Sequence, residues 1–145
     1  FLIGKAYEES GELALAVPEY LAAELRYPDS PQAEEAAFRK AVCLVRLSEK
    51  SPNDGTLLAE ASTAVRLFLK YYPDSDHAVE ARMFRDRLVD RHAEREFRTA
   101  EFYDRVARNR EAALRSYRKV LERFPESEWT LRAERRILEL TGDES

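Results

Sequence analysis

Tyr27-Pro28-Asp29-Ser30, Tyr72-Pro73-Asp74-Ser75 and Phe124-Pro125-Glu126-Ser127 are one punctuation mark used three times, with the prolines 45 and 52 residues apart. Proline has no amide hydrogen to donate to the preceding turn, so each proline ends a helix. The serine two places on can open the next helix by accepting from an orphan amide. The aromatic residue before each proline is suited to packing into the helix junction.

Working back from each proline, an alanine stands twelve residues earlier, at Ala16, Ala61 and Ala113. A small side chain there lets two helices of a hairpin cross closely. Four residues after the alanine come Tyr20, Val65 and Tyr117, and three further on Ala23, Phe68 and Val120, which is the i, i+4, i+7 stripe of a helix packed along one face. Around the first copy, Gly4, Tyr7, Gly11, Leu13, Ala16, Tyr20, Ala23 and Pro28 fall at the spacing of the tetratricopeptide repeat.

The pattern predicts an all-α fold: a tetratricopeptide-like helical-hairpin solenoid in one domain over residues 1–145. Its repeats lie at about 1–30, 31–75 and 76–127, and a terminal helix follows at 128–141. The second repeat has its first helix at Glu34 to Leu47, an extended turn at Ser51-Pro52-Asn53-Asp54-Gly55, and its second helix at Leu57 to Tyr72. Between Pro73 and Pro125 there is neither Gly nor Pro, so Asp76 to about Ala107 reads as one long helix or two nearly collinear ones. The hairpin turn then falls near Arg108-Asn109, where asparagine tolerates a left-handed backbone. The last helix runs from about Glu128 to Leu140, with Gly142 as its stop.

Composition agrees with helices that carry solvated outer faces: 36% of residues are charged, 44% apolar, with four Gly and six Pro. A chain of 145 residues buries roughly two-thirds or more of its unfolded surface, enough for a real core. The net charge of −4 is uneven: residues 1–80 carry 8 basic and 14 acidic groups, residues 81–145 carry 16 and 14. Neither part has the basic excess expected of a nucleic-acid binder. No stretch approaches the roughly 18 to 20 apolar residues that a membrane helix needs. The opening Phe1-Leu2-Ile3-Gly4-Lys5-Ala6-Tyr7 reads as the middle of a helix, so the expectation is a truncated or processed chain, with any leader or lipid anchor lying before it.

The segment Ala93-Glu94-Arg95-Glu96-Phe97-Arg98-Thr99-Ala100-Glu101-Phe102-Tyr103, followed by Ala112-Ala113 and Val120-Leu121-Glu122-Arg123-Phe124-Pro125, resembles the BamD (YfiO, ComL) family of outer-membrane assembly lipoproteins. Asp54-Gly55-Thr56 echoes an Asp-x-Thr loop of that family, and Arg108-Asn109-Arg110 stands where the family has a Lys/Arg-Gly-Ala-Tyr turn. The resemblance covers most of residues 50 to 128. It implies a scaffold at the periplasmic face of the outer membrane, lipid-anchored in the full-length protein. Its implied partners are proteins, either components of the β-barrel assembly machinery or unfolded outer-membrane protein segments. Neither nucleic acid nor a cofactor is implied. Another cell-envelope adaptor, of the division or pilus-assembly type, would show regular repeats of about 34 residues, and the 45- and 52-residue spacings speak against it.

In stacked hairpins the first helices line a concave surface that meets partners. By register, Lys5 and Glu8 face it from the first repeat, Arg39 and Arg46 from the second, and Arg98, Phe102 and Arg105 from the long helix. The last three recur at i, i+4 and i+7 as a stripe suited to an acidic or extended peptide, with the arginines as bidentate donors and Phe102 as an apolar anchor. The same residues also read as a solvated face paired through Glu94 with Arg98 and Glu101 with Arg105, with Phe102 in the core.

Catalytic equipment is not legible. His77 and His92 lack the second histidine or carboxylate at the spacing of a zinc site. Cys43, the one cysteine, lies among Ala37, Ala41, Leu44 and Leu47 as a small core side chain and closes no intrachain disulfide. No phosphate loop or nucleophile elbow frames the many carboxylates. Trp129, the one tryptophan, is expected to cover the end of the repeat stack or to serve an interface. The reading is a protein-binding scaffold, not an enzyme.

Overall fold

The three punctuation marks act where the sequence puts them. Helix α2 (Leu13–Arg26), α4 (Gly55–Tyr71) and α6 (Arg110–Arg123) each stop two residues before a proline. The residues in between, Tyr27, Tyr72 and Phe124, share one extended backbone, with φ of −136, −130 and −131° and ψ of 75, 58 and 54°. A proline ring clashes with a helical residue before it, and that clash sets this conformation. Tyr72 packs on Phe68 with ring centroids 5.4 Å apart and Phe124 stacks on His92 at 6.5 Å, whereas Tyr27 stays exposed.

The structure, a computed structural model, describes residues 1–142. Besides the three helices above it contains α1 (Leu2–Glu9), α3 (Pro31–Lys50), α5 (Ala78–Glu101) and α7 (Glu128–Gly142), with a π-helical turn at Phe102–Val106. The described residues contain no strand. Side chains satisfy the free amides at helix starts: Ser30 accepts from the Ala33 amide (3.2 Å), Asp54 from Leu57 (3.0 Å), Ser75 from His77 (3.1 Å), Asn109 from Ala112 (3.1 Å) and Ser127 from Trp129 (3.3 Å).

The chain divides into two compact units, Phe1–Leu88 and Val89–Ser145. In the first, α1 packs on α2, α2 on α3 and α3 on α4. Helix α3 is covered on two sides, which is why Ala33, Ala36, Ala37 and Ala41 occupy so much of it. In the second, α6 packs on α7 and on the π-turn, around Ala93, Phe97, Ala100, Ala113, Tyr117, Val120, Trp129 and Ala133. The crossing alanines Ala16, Ala61 and Ala113 are completely buried.

The run expected from Asp76 to about Ala107, as one long helix or two nearly collinear ones, is helical from Ala78 through the π-turn to Val106. His77 lies in the junction before α5, and the last turn widens to π-helix from Phe102. At the following turn Arg108, rather than the expected Asn109, takes the left-handed conformation (φ 52°), and Asn109 serves as the cap of α6. A non-glycine residue there costs about 1–2 kcal/mol.

Gly4 shows how closely the first hairpin is fitted. A Cβ at this position would lie 2.9 Å from Cδ1 and Cε1 of the fully buried Tyr20 ring. Alanine normally stabilises a helical glycine site by up to about 1 kcal/mol. Here the overlap reverses the sign: Gly4→Ala is expected to cost about 1 kcal/mol net in urea unfolding, and a gain in stability would show that the crossing is looser than described.

Candidate functional site

The predicted binding residues fall in both units. In the first, α1 and α3 bring Glu8, Arg39 and Arg46 together. Glu8 differs from its expected place on an exposed face: its side chain is only 8% exposed and accepts from the Tyr20 hydroxyl at 2.5 Å. Arg39 Nη1 approaches the same carboxylate at 3.4 Å and Arg46 Nη1 at 3.9 Å. The cause is the tyrosine. A phenol buried in a helix crossing needs an acceptor, and Glu8 supplies it from the adjacent helix. Burial first, then the hydrogen bond and charge of Glu8, push the Tyr20 hydroxyl well above the ordinary tyrosine range. Arg46 remains exposed, and half-buried Lys5 places its Nζ 5.7 Å from the Phe1 ring centroid.

The second unit repeats this arrangement. Tyr117, like Tyr20, stands four residues after a crossing alanine and donates to Asp104 at 2.9 Å. Arg136 of α7 grips the same carboxylate with two bonds, Nε to Oδ2 at 2.7 Å and Nη2 to Oδ1 at 3.0 Å. The Asp104 side chain is 6% exposed. The Arg136 hydrogen bond holds the Asp104 carboxyl below its ordinary range, against the opposing effect of burial and with further help from Tyr117. The second repeat has Val65 at the tyrosine position, with no hydroxyl to satisfy.

A third set of pairs joins α3 to the junction before α5. Glu35 accepts from Arg39 at 3.0 Å and contacts His77 Nε2 at 2.5 Å, while the His77 ring stacks on Phe38 at 4.0 Å. Burial raises the Glu35 pKa, but the hydrogen bonds from His77 and Arg39 outweigh it and the net direction is down.

Arg98, Phe102 and Arg105 do not form one uniform α-helical stripe, because the π-turn begins at Phe102 and widens the spiral under Arg105. Glu101 nonetheless joins the two arginines, at 2.7 Å from Arg98 and 3.9 Å from Arg105. Phe102 is 52% exposed and so lies outside the core. Trp129 is buried against Phe97 at 5.2 Å, with Arg98 and Arg132 over its ring at 5.1 and 4.5 Å. The Cys43 thiol is completely buried and pushed up to about 11 by burial and by Glu8, an inert position. His92 moves down through burial and then the charges of Arg95, Arg91 and Arg123. Among the described residues no group of three or more His, Cys, Asp or Glu is placed to hold a metal ion.

The family model for YfiO, outer membrane lipoprotein, matches residues 3–133. The chain belongs to the YfiO family. Among curated proteins it is 27% identical over 113 residues to the outer membrane protein assembly factor BamD of Caulobacter vibrioides, an alignment covering 78% of this chain and 37% of that protein. The chain thus spans little more than a third of the length of that relative. As a member of this outer membrane lipoprotein family the chain is all-α and tetratricopeptide-like. No described helix is long and apolar enough to cross a membrane.

The lowered pKa of Asp104 fixes the sign of an acid dependence. Its contribution to stability is present above the unfolded aspartate value near 3.9 and is lost as pH falls through the lower folded value. Asp104→Asn should therefore cost about 1.5 kcal/mol at neutral pH, since it removes the charge from the hydrogen bonds to Arg136 and Tyr117 and leaves Glu139 as the remaining acidic partner of Arg136. In urea unfolding at pH 7 and pH 3, the difference from the native chain should shrink at the lower pH, and a constant difference would remove Asp104 from this role.

Proposed function

We propose that this chain is a non-catalytic scaffold of outer-membrane β-barrel assembly, working at the periplasmic face of the outer membrane and lipid-anchored in the full-length protein. Its partners are other components of the assembly machinery or unfolded outer-membrane protein segments. The family assignment supports the process, and the name of the Caulobacter relative supports the assembly role.

The observation that carries a protein-binding role is the exposed Phe102 beside Arg98 and Arg105. An aromatic ring 52% exposed next to two guanidiniums offers an apolar anchor with charged flanks, a combination common at binding hot spots. In the first unit Lys5, Arg39 and Arg46 supply further contacts, while Glu8 holds the two arginines from beneath. The strongest acid–base pairs join one helix to another, which suits a role of holding shape.

The test is made in the full-length protein carrying Phe102→Ala or the pair Arg98→Glu and Arg105→Glu, in cells that depend on it. Capture of the barrel-assembly machinery should fall by about tenfold and outer-membrane barrel proteins should drop, with helical circular dichroism retained. Undiminished capture and barrel levels in both folded variants would remove this face from the function.

A further inference from the structure

Around the end of the π-turn, Arg105, Arg108, Arg110 and Arg136 line one cavity of about 570 Å³ together with Asp104 and Leu140. Two of the four guanidiniums are committed. Arg136 is held by Asp104 and by Glu139 (2.9 Å), and Arg110 donates to the Leu140 carbonyl at the end of α7. The other two are not. Arg105 is 68% exposed at its side chain and reaches Glu101 only at 3.9 Å, and Arg108 pairs with no carboxylate among the described residues.

Among the described residues, four cations thus surround a cavity whose lining holds one carboxylate, and that carboxylate faces Arg136 and Tyr117. Two backbone irregularities place the uncommitted pair. The π-turn carries Arg105, and such turns are frequent at functional sites. Arg108 holds a left-handed backbone, φ 52°, that glycine would adopt without strain. Strain retained at a charged, exposed residue is a pointer to a binding role.

We propose that this cavity binds a carboxylate side chain of an acidic, extended peptide segment, with Arg105 and Arg108 as its donors. The proposal rests on the protein-binding reading above and names the chemistry of one partner segment. A peptide fits better than an isolated phosphate because apolar surface adjoins the charge. Leu140 lines the cavity, and Val106, 70% exposed, lies between the two arginines in sequence. Guanidinium forks match carboxylates with paired hydrogen bonds, as Arg136 already does with Asp104.

The experiment uses the purified chain and a fluorescent peptide alternating Glu with Val, read by anisotropy at low salt. Its controls are the Gln-for-Glu peptide and inorganic phosphate as competitor. The acidic peptide should bind, the Gln version should bind at least about tenfold more weakly, and phosphate should compete only far above the peptide concentration. Arg108→Gly should weaken binding about tenfold while raising the melting temperature, because it removes the strain along with the charge. Arg108→Gln keeps the side-chain bulk and should also lose binding.

Equal binding of the Gln peptide, or full affinity in both Arg108 variants, would overturn the proposal. Phosphate competing as well as the peptide would assign the cavity to phosphate groups and overturn it too. Since Arg98 and Phe102 are untouched in these variants, failure here leaves the scaffold reading to its own cellular test.

Discussion

A phenol buried where two helices cross has to give its hydrogen to an acceptor, and the carboxylate that accepts must in turn be held by a cation. Tyr20, Glu8 and Arg39 meet this requirement in the first unit, and Tyr117, Asp104 and Arg136 in the second. In both, the tyrosine lies on the second helix of a hairpin, the carboxylate on the first helix or its π-turn, and the arginine on the helix that follows. Hydrophobic packing of Ala16 or Ala113 brings the helices close, but apolar contact is non-directional. The three-part polar contact fixes register and ties each of these two helix pairs to the helix that follows it.

That constraint places the outward-facing groups. Arg39 and Arg46 gather over Glu8 because the tyrosine pulls that carboxylate inward. Gripped through Asp104, Arg136 stands beside the π-turn, where Arg105 and Arg108 extend. The proposed binding face would thus be presented on helices held by cross-helix contacts, so less ordering entropy would oppose capture of a partner.

Much of the fold was legible because proline and alanine act locally. The Pro28, Pro73 and Pro125 steps predicted where three helices end, and the alanines twelve residues earlier predicted where they cross. The polar contacts were hidden because their partners are distant or ambiguous in sequence: His77 and Glu35 lie 42 residues apart, and Glu8 reads as an ordinary surface carboxylate until Tyr20 is placed over it. The π-turn left no Gly or Pro signal, so the register beyond Phe102 was missed. The left-handed residue of the next turn was assigned to Asn109, the usual choice, whereas that asparagine was needed as a cap and Arg108 took the strain. The division after Leu88 falls inside α5, where no Gly or Pro marks it.

The most direct measurement is a double-mutant cycle on Tyr117→Phe and Arg136→Met, each alone and together, by urea unfolding at neutral pH. If one carboxylate unites the two helices, the paired effects should depart from additivity by about 1 kcal/mol or more. Additivity within about 0.3 kcal/mol would mean that the hydroxyl and the guanidinium act separately, and that packing alone holds this part of the chain.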